Sequence, residues 1–442
     1  MKKRLPTRLL SVLLVAALVL GMASPAAAVG PKSNVTVTQV DNSAVSVHPL
    51  ERVEEELNTM DGYAATDVVR VSIILQKDST IRAGFSTMDI AANEAAMAYR
   101  QSLKKDQENM VQRIEKTTGS RLDVAWNLTL AANLISANVR FGDIEKIQAL
   151  PGVQSVVLEN QYLAEPVEDG KIGTHMATSG AQTGSVLSWA EGYTGAGTRI
   201  AVIDTGSDTD HQSLNDKAFE YALAQLAAGK GMSVDAYIES LDLLDAAGIA
   251  KVADKLNVTV DPETAYLSTK LPFAYNYKDT DYDVTHDNDE EGEHGSHVAG
   301  IAAANSYIPS GEGFVKALES VYVQGVAPEA QLLTMKVFGK GGSPYDSDYF
   351  AAIEDAIVLG ADVINLSLGS VAPGRGTHDN PVFEGIMDDL VNSDTVVAIS
   401  AGNSGPWSEM AENGGYLYNT DVSLDTVGQP GSFTNSLAVA SV

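Results

Sequence analysis

The chain has 442 residues, 44% of them hydrophobic and 20% charged, a globular composition long enough for two or three domains. Its formal net charge of -29 excludes partners of the same sign, nucleic acid and anionic membrane surfaces among them. The lack of any cysteine excludes disulfides, thiolate metal sites and a cysteine nucleophile, without placing the protein inside the cell, because a large core can dispense with disulfides.

At the N-terminus, Lys2, Lys3, Arg4 and Arg8 accompany an apolar run over 9–20 and the small residues Ala26, Ala27 and Ala28. This order predicts a signal peptide over 1–28, cleaved after Ala28, and a mature chain that is secreted or held at the cell envelope. The apolar run falls short of a bilayer span, and the mature chain is expected to have none. Residues 29–66 are polar and weakly periodic, which predicts a flexible lead-in.

From residue 67 the pattern sharpens. The β-branched run 68–75 (VVRVSIIL) predicts a strand, and 89–118 a long helix closed by Gly119. Residues 122–130 and 134–141 are two further apolar stretches, 143–150 a short helix broken by Pro151 and Gly152, and 153–158 a final strand. Strand, helix, strand, strand, helix, strand is the ferredoxin-like order, here filling 67–165. A small domain between a signal peptide and a larger domain reads as a propeptide that templates folding and plugs a cleft, or as a structural or interaction module.

A linker rich in Gly, Thr and Ser is expected over 166–188. Beyond it strands alternate with helices, as a parallel sheet covered on both faces requires. The expected strands are 199–203, 332–338, 362–366, 395–400 and 436–442, and the expected helices 295–304, packed and buried, and 346–359. Residues 216–270, rich in Ala, Leu, Asp and Lys, predict an insertion of two or three surface helices.

In an open α/β sheet, ligands bind beyond the carboxyl ends of the strands. Asp204 stands there in AVIDTGSD, where its carboxylate can accept a hydrogen bond from an imidazole or serve merely as a cap or turn residue. In EHGSHVAGIAAAN, His294 opens an Ala- and Gly-rich run; a helix N-terminus favours its neutral form, which suits a general base. His294 and His297 would share a helix face and could instead ligate a metal, although the HExxH pattern is absent. In AISAGNSG, the Asn403 amide can donate to a developing oxyanion or simply occupy a left-handed turn.

Taken together and in this order, VIDTG, HGSHVAG, GVAPEAQLLTMKV, DVINLSLGS and SAGNSG resemble the subtilisin-like serine proteases, over about 189–442 apart from the insertion. The wider chain is similar to the large cell-envelope proteinases of the lactocepin and streptococcal peptidase type. The resemblance implies an α/β fold with a three-layer parallel-sheet domain, incomplete here, preceded by an inhibitory ferredoxin-like propeptide. It implies a secreted endopeptidase that hydrolyses peptide bonds in proteins with an Asp-His-Ser triad. Asp204 would orient the imidazole, His294 would be the base, Asn403 the oxyanion donor and His297 structural. Ser367, Leu368 and Gly369 would pair with an extended polypeptide substrate, and Gly342 and Ser343 would line the opposite edge.

The family's serine lies in a Gly-Thr-Ser-Met-Ala type string, and no such string occurs in these residues; Ser404, Ser432 and Ser436 stand in other contexts. The expectation is a sequence that stops before its nucleophile; the alternative is a non-catalytic product of a truncated gene that binds peptides or acts as inhibitor or chaperone. The resemblance implies no cofactor for the chemistry. The acidic stretch 279–293 could hold a structural calcium or be a solvated loop. His211 is expected to pack within its motif, and His48, His175, His286 and His378 to face solvent.

Overall fold

In the computed structural model of the protein, the described residues are 63–162, 176–289, 291–369, 381–402 and 427–440. All lie in the unit Thr59–Val442, whereas the expected signal peptide and nearly all of the lead-in fall outside the described residues.

The first layer is an antiparallel sheet in the order β2-β3-β1-β4, made of β1 (Val68–Leu75), β2 (Asp123–Leu128), β3 (Leu134–Arg140) and β4 (Val153–Leu158). Helices α1 (Glu94–Thr118) and α2 (Ile144–Gln148) complete the expected order. Asn93 caps α1 by accepting from the Ala96 N–H, and Gly119 ends it in the left-handed region at φ 70°. Its buried residues Ala96, Arg100, Leu103, Gln107, Met110 and Ile114 recur every three or four positions and define one face. Val69, Val71, Ile73 and Leu75 alternate along β1 into the cluster shared with Met110, Ile114 and Ile147. Each such side chain contributes about 1.5–3 kcal/mol on burial.

The second sheet is parallel, in the order β12-β11-β10-β5-β9-β6: β5 (Arg199–Asp204), β6 (Phe273–Asn276), β9 (Gln331–Lys336), β10 (Val363–Leu366), β11 (Val396–Ser400) and β12 (Leu437–Val439). A hairpin of β7 (Tyr307–Ser310) and β8 (Gly313–Lys316) stands apart. The helices in chain order are α3 (Met176–Thr183), α4 (Ser185–Ala190), α5 (Asp216–Gly229), α6 (Val234–Glu239), α7 (Ala246–Val252), α8 (Pro262–Ala265), α9 (His294–Ala303), α10 (Ala317–Ser320), α11 (Asp346–Val358) and α12 (Pro381–Leu390).

The structure departs from expectation in four places. The stretch read as linker contains α3 and α4. The insertion forms four helices, because Ser233, Asp245 and Asp261 each cap a new start, and its Phe219, Leu223, Ala227 and Tyr237 bury one another instead of lying on the surface. Strand β6 and the hairpin were not anticipated, since four-residue runs carry too little periodicity. Finally, α9 buries only Gly295, Ala299 and Ala303, one face at i,i+4 spacing, while Ile301 is 40% exposed.

The two sheets are joined through α11. Every one of its 13 residues is buried, charged ones included. The β1 face opposite the helices carries Arg70, Ser72 and Ile74, and α11 closes it: Ser347 Oγ is 2.9 Å from Ser136 Oγ, and Trp126 Nε1 donates to Asp348 Oδ1 at 2.7 Å. Glu354 Oε1 accepts the N–H groups of Leu130 at 2.7 Å and Ala131 at 2.8 Å, while Arg100 Nη2 lies 3.5 Å from Oε2. Among the described residues, no helix is long and apolar enough to cross a membrane.

Candidate active site

Asp204 is the last residue of β5 at the centre of the parallel sheet, and only 1% exposed. His294 is the first residue of α9, and its Nδ1 lies 2.8 Å from Asp204 Oδ1. The same oxygen accepts the Thr205 N–H at 2.7 Å, whereas Oδ2 is buried with no hydrogen-bond partner among the described residues. A carboxylate at Nδ1 keeps the ring proton there, so Nε2 is the basic nitrogen.

Two glycines make this approach possible. Gly206 has φ 105°, and a Cβ on it would meet Val284 O at 2.3 Å. A Cβ on Gly295 would meet Gly206 O at 2.0 Å, so the start of α9 rests backbone against backbone on the turn after Asp204. Thr205 Oγ1 accepts the Gly295 N–H at 2.9 Å and fixes the helix to that turn.

A buried lysine braces the arrangement from behind. Lys336 pairs in register with Asp204 across β5 and β9, and Val337 N–H donates to Asp204 O at 2.9 Å. Its Nζ donates to Thr205 O at 2.6 Å and Thr285 O at 3.0 Å and pairs with Asp289 at 2.7 Å. The sequence reading missed this residue, although a lone charge inside the apolar run LLTMKVF was the signal for it.

The other histidines sort by contact. His286, expected to face solvent, is half-buried: its Nε2 is 2.8 Å from Ser296 Oγ, which accepts the Asp208 N–H at 2.7 Å. Burial, followed by the neighbouring Lys336 ammonium, holds the His286 imidazole below its ordinary pKa. His211 Nδ1 accepts the Ser213 N–H at 3.2 Å and caps a short turn; its side chain is otherwise exposed, as is that of His297. His48, His175 and His378 lie outside the described residues.

Ser367, Leu368 and Gly369 follow β10 directly, with Ser367 Oγ accepting from Asn365 Nδ2 at 2.9 Å and Leu368 buried. Gly342 closes a turn on Gly339, its N–H donating to Gly339 O at 2.7 Å, and Ser343 O accepts from Lys278 Nζ at 2.6 Å. Asp279 braces that turn by accepting the Lys340 N–H at 2.9 Å and the Gly341 N–H at 2.8 Å. Asn403 and Ser404 lie outside the described residues, immediately beyond Gly402, and Ser432 and Ser436 sit in the turn before β12. Among the described residues, no group of three or more acidic or histidine side chains gathers to hold a metal ion, and within the acidic loop Asp279, Asp283 and Asp289 are engaged by N–H and ammonium donors.

Residues 195–442 match the model of the Subtilase family of peptidases. The PI-type proteinase of Lactococcus lactis subsp. cremoris is 30% identical over 409 residues, and the PII-type proteinase of Lacticaseibacillus paracasei 29%, in each case over 91% of this chain and 18% of the relative. Subtilisin E of Bacillus subtilis (strain 168) is 28% identical over 254 residues, 57% of this chain and 43% of its own. The chain therefore spans less than a fifth of the length of the two proteinases. A crystal structure of the epidermin leader peptide processing serine protease (EpiP) from Staphylococcus aureus covers 84% of this chain and 69% of its own, with a TM-score of 0.43 at 15% identity.

Proposed function

Because the chain belongs to the subtilase family of serine-type peptidases, we propose that Asp204 and His294 are the orienting carboxylate and the base of a triad by which a secreted peptidase hydrolyses peptide bonds in proteins, completed by a serine in sequence beyond Val442. The observation that carries this is the 2.8 Å contact of His294 Nδ1 with the buried carboxylate of Asp204 at a strand's carboxyl end. His294 Nε2 takes the proton of the serine hydroxyl as it attacks the peptide carbonyl, then returns it to the departing amine. Asp204 holds the ring and stabilises the imidazolium formed in between. Asn403 donates to the developing oxyanion.

The substrate lies extended between Ser367–Gly369 and Gly342–Ser343, which supply main-chain partners. The antiparallel domain is the propeptide. Residues 159–162 support this reading, since Gln161 faces Tyr345 in an antiparallel bridge along one of the edges a substrate would use. No metal is needed for any step.

The test is labelling with a fluorophosphonate, which reacts with activated serines. Residues 1–442 alone are expected to stay unlabelled, and the protein extended in frame through a Gly-Thr-Ser-Met-Ala type string to be labelled and to cleave an unfolded protein substrate. Labelling that survives both Asp204→Asn and His294→Ala would refute the assignment.

A further inference from the structure

The stretch that leaves the antiparallel domain along the 342–346 edge ends in a tyrosine whose surroundings are specific. Tyr162 N–H donates to Pro344 O at 3.0 Å, and Asp346 N–H donates to Asn160 O at 3.2 Å. The Tyr162 side chain is 0% exposed. Its hydroxyl donates to Asp346 Oδ1 at 2.7 Å, and the Tyr349 hydroxyl donates to the same oxygen at 3.0 Å. The two rings meet edge to face, 5.4 Å apart at 83°. The other oxygen, Asp346 Oδ2, accepts the Asn160 N–H at 2.6 Å. One carboxylate thus reads both the main chain of the docked segment and the phenol two residues further on.

We infer that Asp346 makes this edge select a tyrosine in the bound chain, so that the preferred substrates are extended peptides carrying a phenol where Tyr162 now sits. The inference rests on the reading of the 342–346 edge as a substrate edge. Phenylalanine fills the same volume but takes one donor from a buried carboxylate, and sites built around a substrate hydroxyl reject analogues that lack it. Leucine falls short of the oxygen as well. A lysine could meet the carboxylate, but it would replace the ring that packs on Tyr349 with a flexible stem.

The docked segment is itself a tethered ligand, so the full chain serves for the experiment. Residue 162 is varied through Tyr, Phe, Leu and Lys, and amide hydrogen exchange is followed over 159–162. Above about pH 7, where Asp346 is ionised, Tyr162→Phe is expected to lower protection about 10- to 100-fold, the range for a hydrogen bond to a charged group, with Leu and Lys lower still. Asp346→Leu is expected to reverse the order, so that in its background Tyr162→Phe leaves the segment protected at least as well as the native tyrosine does. Equal protection by tyrosine and phenylalanine, protection by lysine as good as by tyrosine, or an order unchanged by Asp346→Leu would each overturn the inference.

A second measurement does not depend on how Asp346→Leu folds. In Tyr162→Ala, p-cresol is expected to raise the melting temperature and toluene at equal concentration to do so much less; equal rescue overturns the inference. Neither readout involves cleavage. An unlabelled serine would refute the peptidase reading and leave the tyrosine preference measurable, while equal rescue would leave that reading standing.

Discussion

The carboxylates at the end of β5 and along α11 are both buried, yet they are surrounded in opposite ways. Asp204 directs one oxygen at an imidazole and a neighbouring amide, and its other oxygen has no partner among the described residues. Glu354 instead accepts the amides of Thr129, Leu130, Ala131 and Ala132, the Asn257 side chain and the Arg100 guanidinium. Asp346 likewise accepts two phenols and a backbone amide. A carboxylate saturated with donors is held in place and holds its neighbours. One left with spare capacity beside a titratable ring can respond when the ring gains a proton. The first arrangement joins two layers, and the second is suited to chemistry.

Perturbing each region measures that difference. In a protein that includes the serine, Asp204→Asn is expected to lower turnover about 10⁴-fold, the loss seen when other serine-protease triads lose their aspartate, with little change in KM for a peptide substrate. The same substitution should shift thermal unfolding only slightly. Glu354→Ala should do the reverse, lowering stability by about 3–5 kcal/mol in a denaturant titration, because it leaves Arg100 and several amides buried without an acceptor. Equal effects of the two substitutions on stability would erase the distinction. Gly295→Ala is expected to disturb both properties, at about 1–3 kcal/mol or more, since the new methyl collides with Gly206 O.

Titration reads the buried groups directly. Burial pushes the carboxyls of Asp346 and Asp355 up to about 7, and burial lowers the Lys270 ammonium to about 7. Between about pH 4 and 7 the folded chain keeps protons on the two carboxyls that the unfolded chain has lost, so their contribution to stability declines as pH rises through that window. From about pH 7 to 10.5 the unfolded chain holds the Lys270 proton that the folded chain has released, so stability recovers as pH rises. Melting temperatures across the range should therefore pass through a minimum near neutrality, and a maximum there would contradict these buried groups. Least of all, His211→Ala should change stability by under about 1 kcal/mol, because its ring is exposed and caps only a short turn.

The dyad was readable in the sequence because each half sits in a short motif whose own turn chemistry places it: a strand ending in Asp204 before Gly206, and a helix opening at His294 before Gly295. Apart from β6, the strands of both sheets were visible from their own apolar runs, with β1 and β4 at their expected bounds. What remained hidden depends on partners far along the chain. Little that is local in 346–358 says that its acids point inward, because most of their donors come from distant residues such as Trp126, Tyr162, Asn257 and Tyr277. The half-burial of His286 escaped notice because Ser296 and Lys336 reach it from other elements. Asn403 and the expected signal peptide lie outside the described residues.

Trp126 and its acceptor Asp348 are 222 residues apart in sequence, and Leu130 lies 224 from Glu354. During synthesis at about 5–20 residues per second, β2 emerges roughly 10 to 45 s before the helix that will cover its open face. For that interval Trp126 and the amides of 129–132 have only water or one another. The serines and arginine on the same face, Ser72, Ser136 and Arg70, keep the waiting surface wettable, so a half-made molecule carries a polar flank where a purely apolar one would invite association with its neighbours.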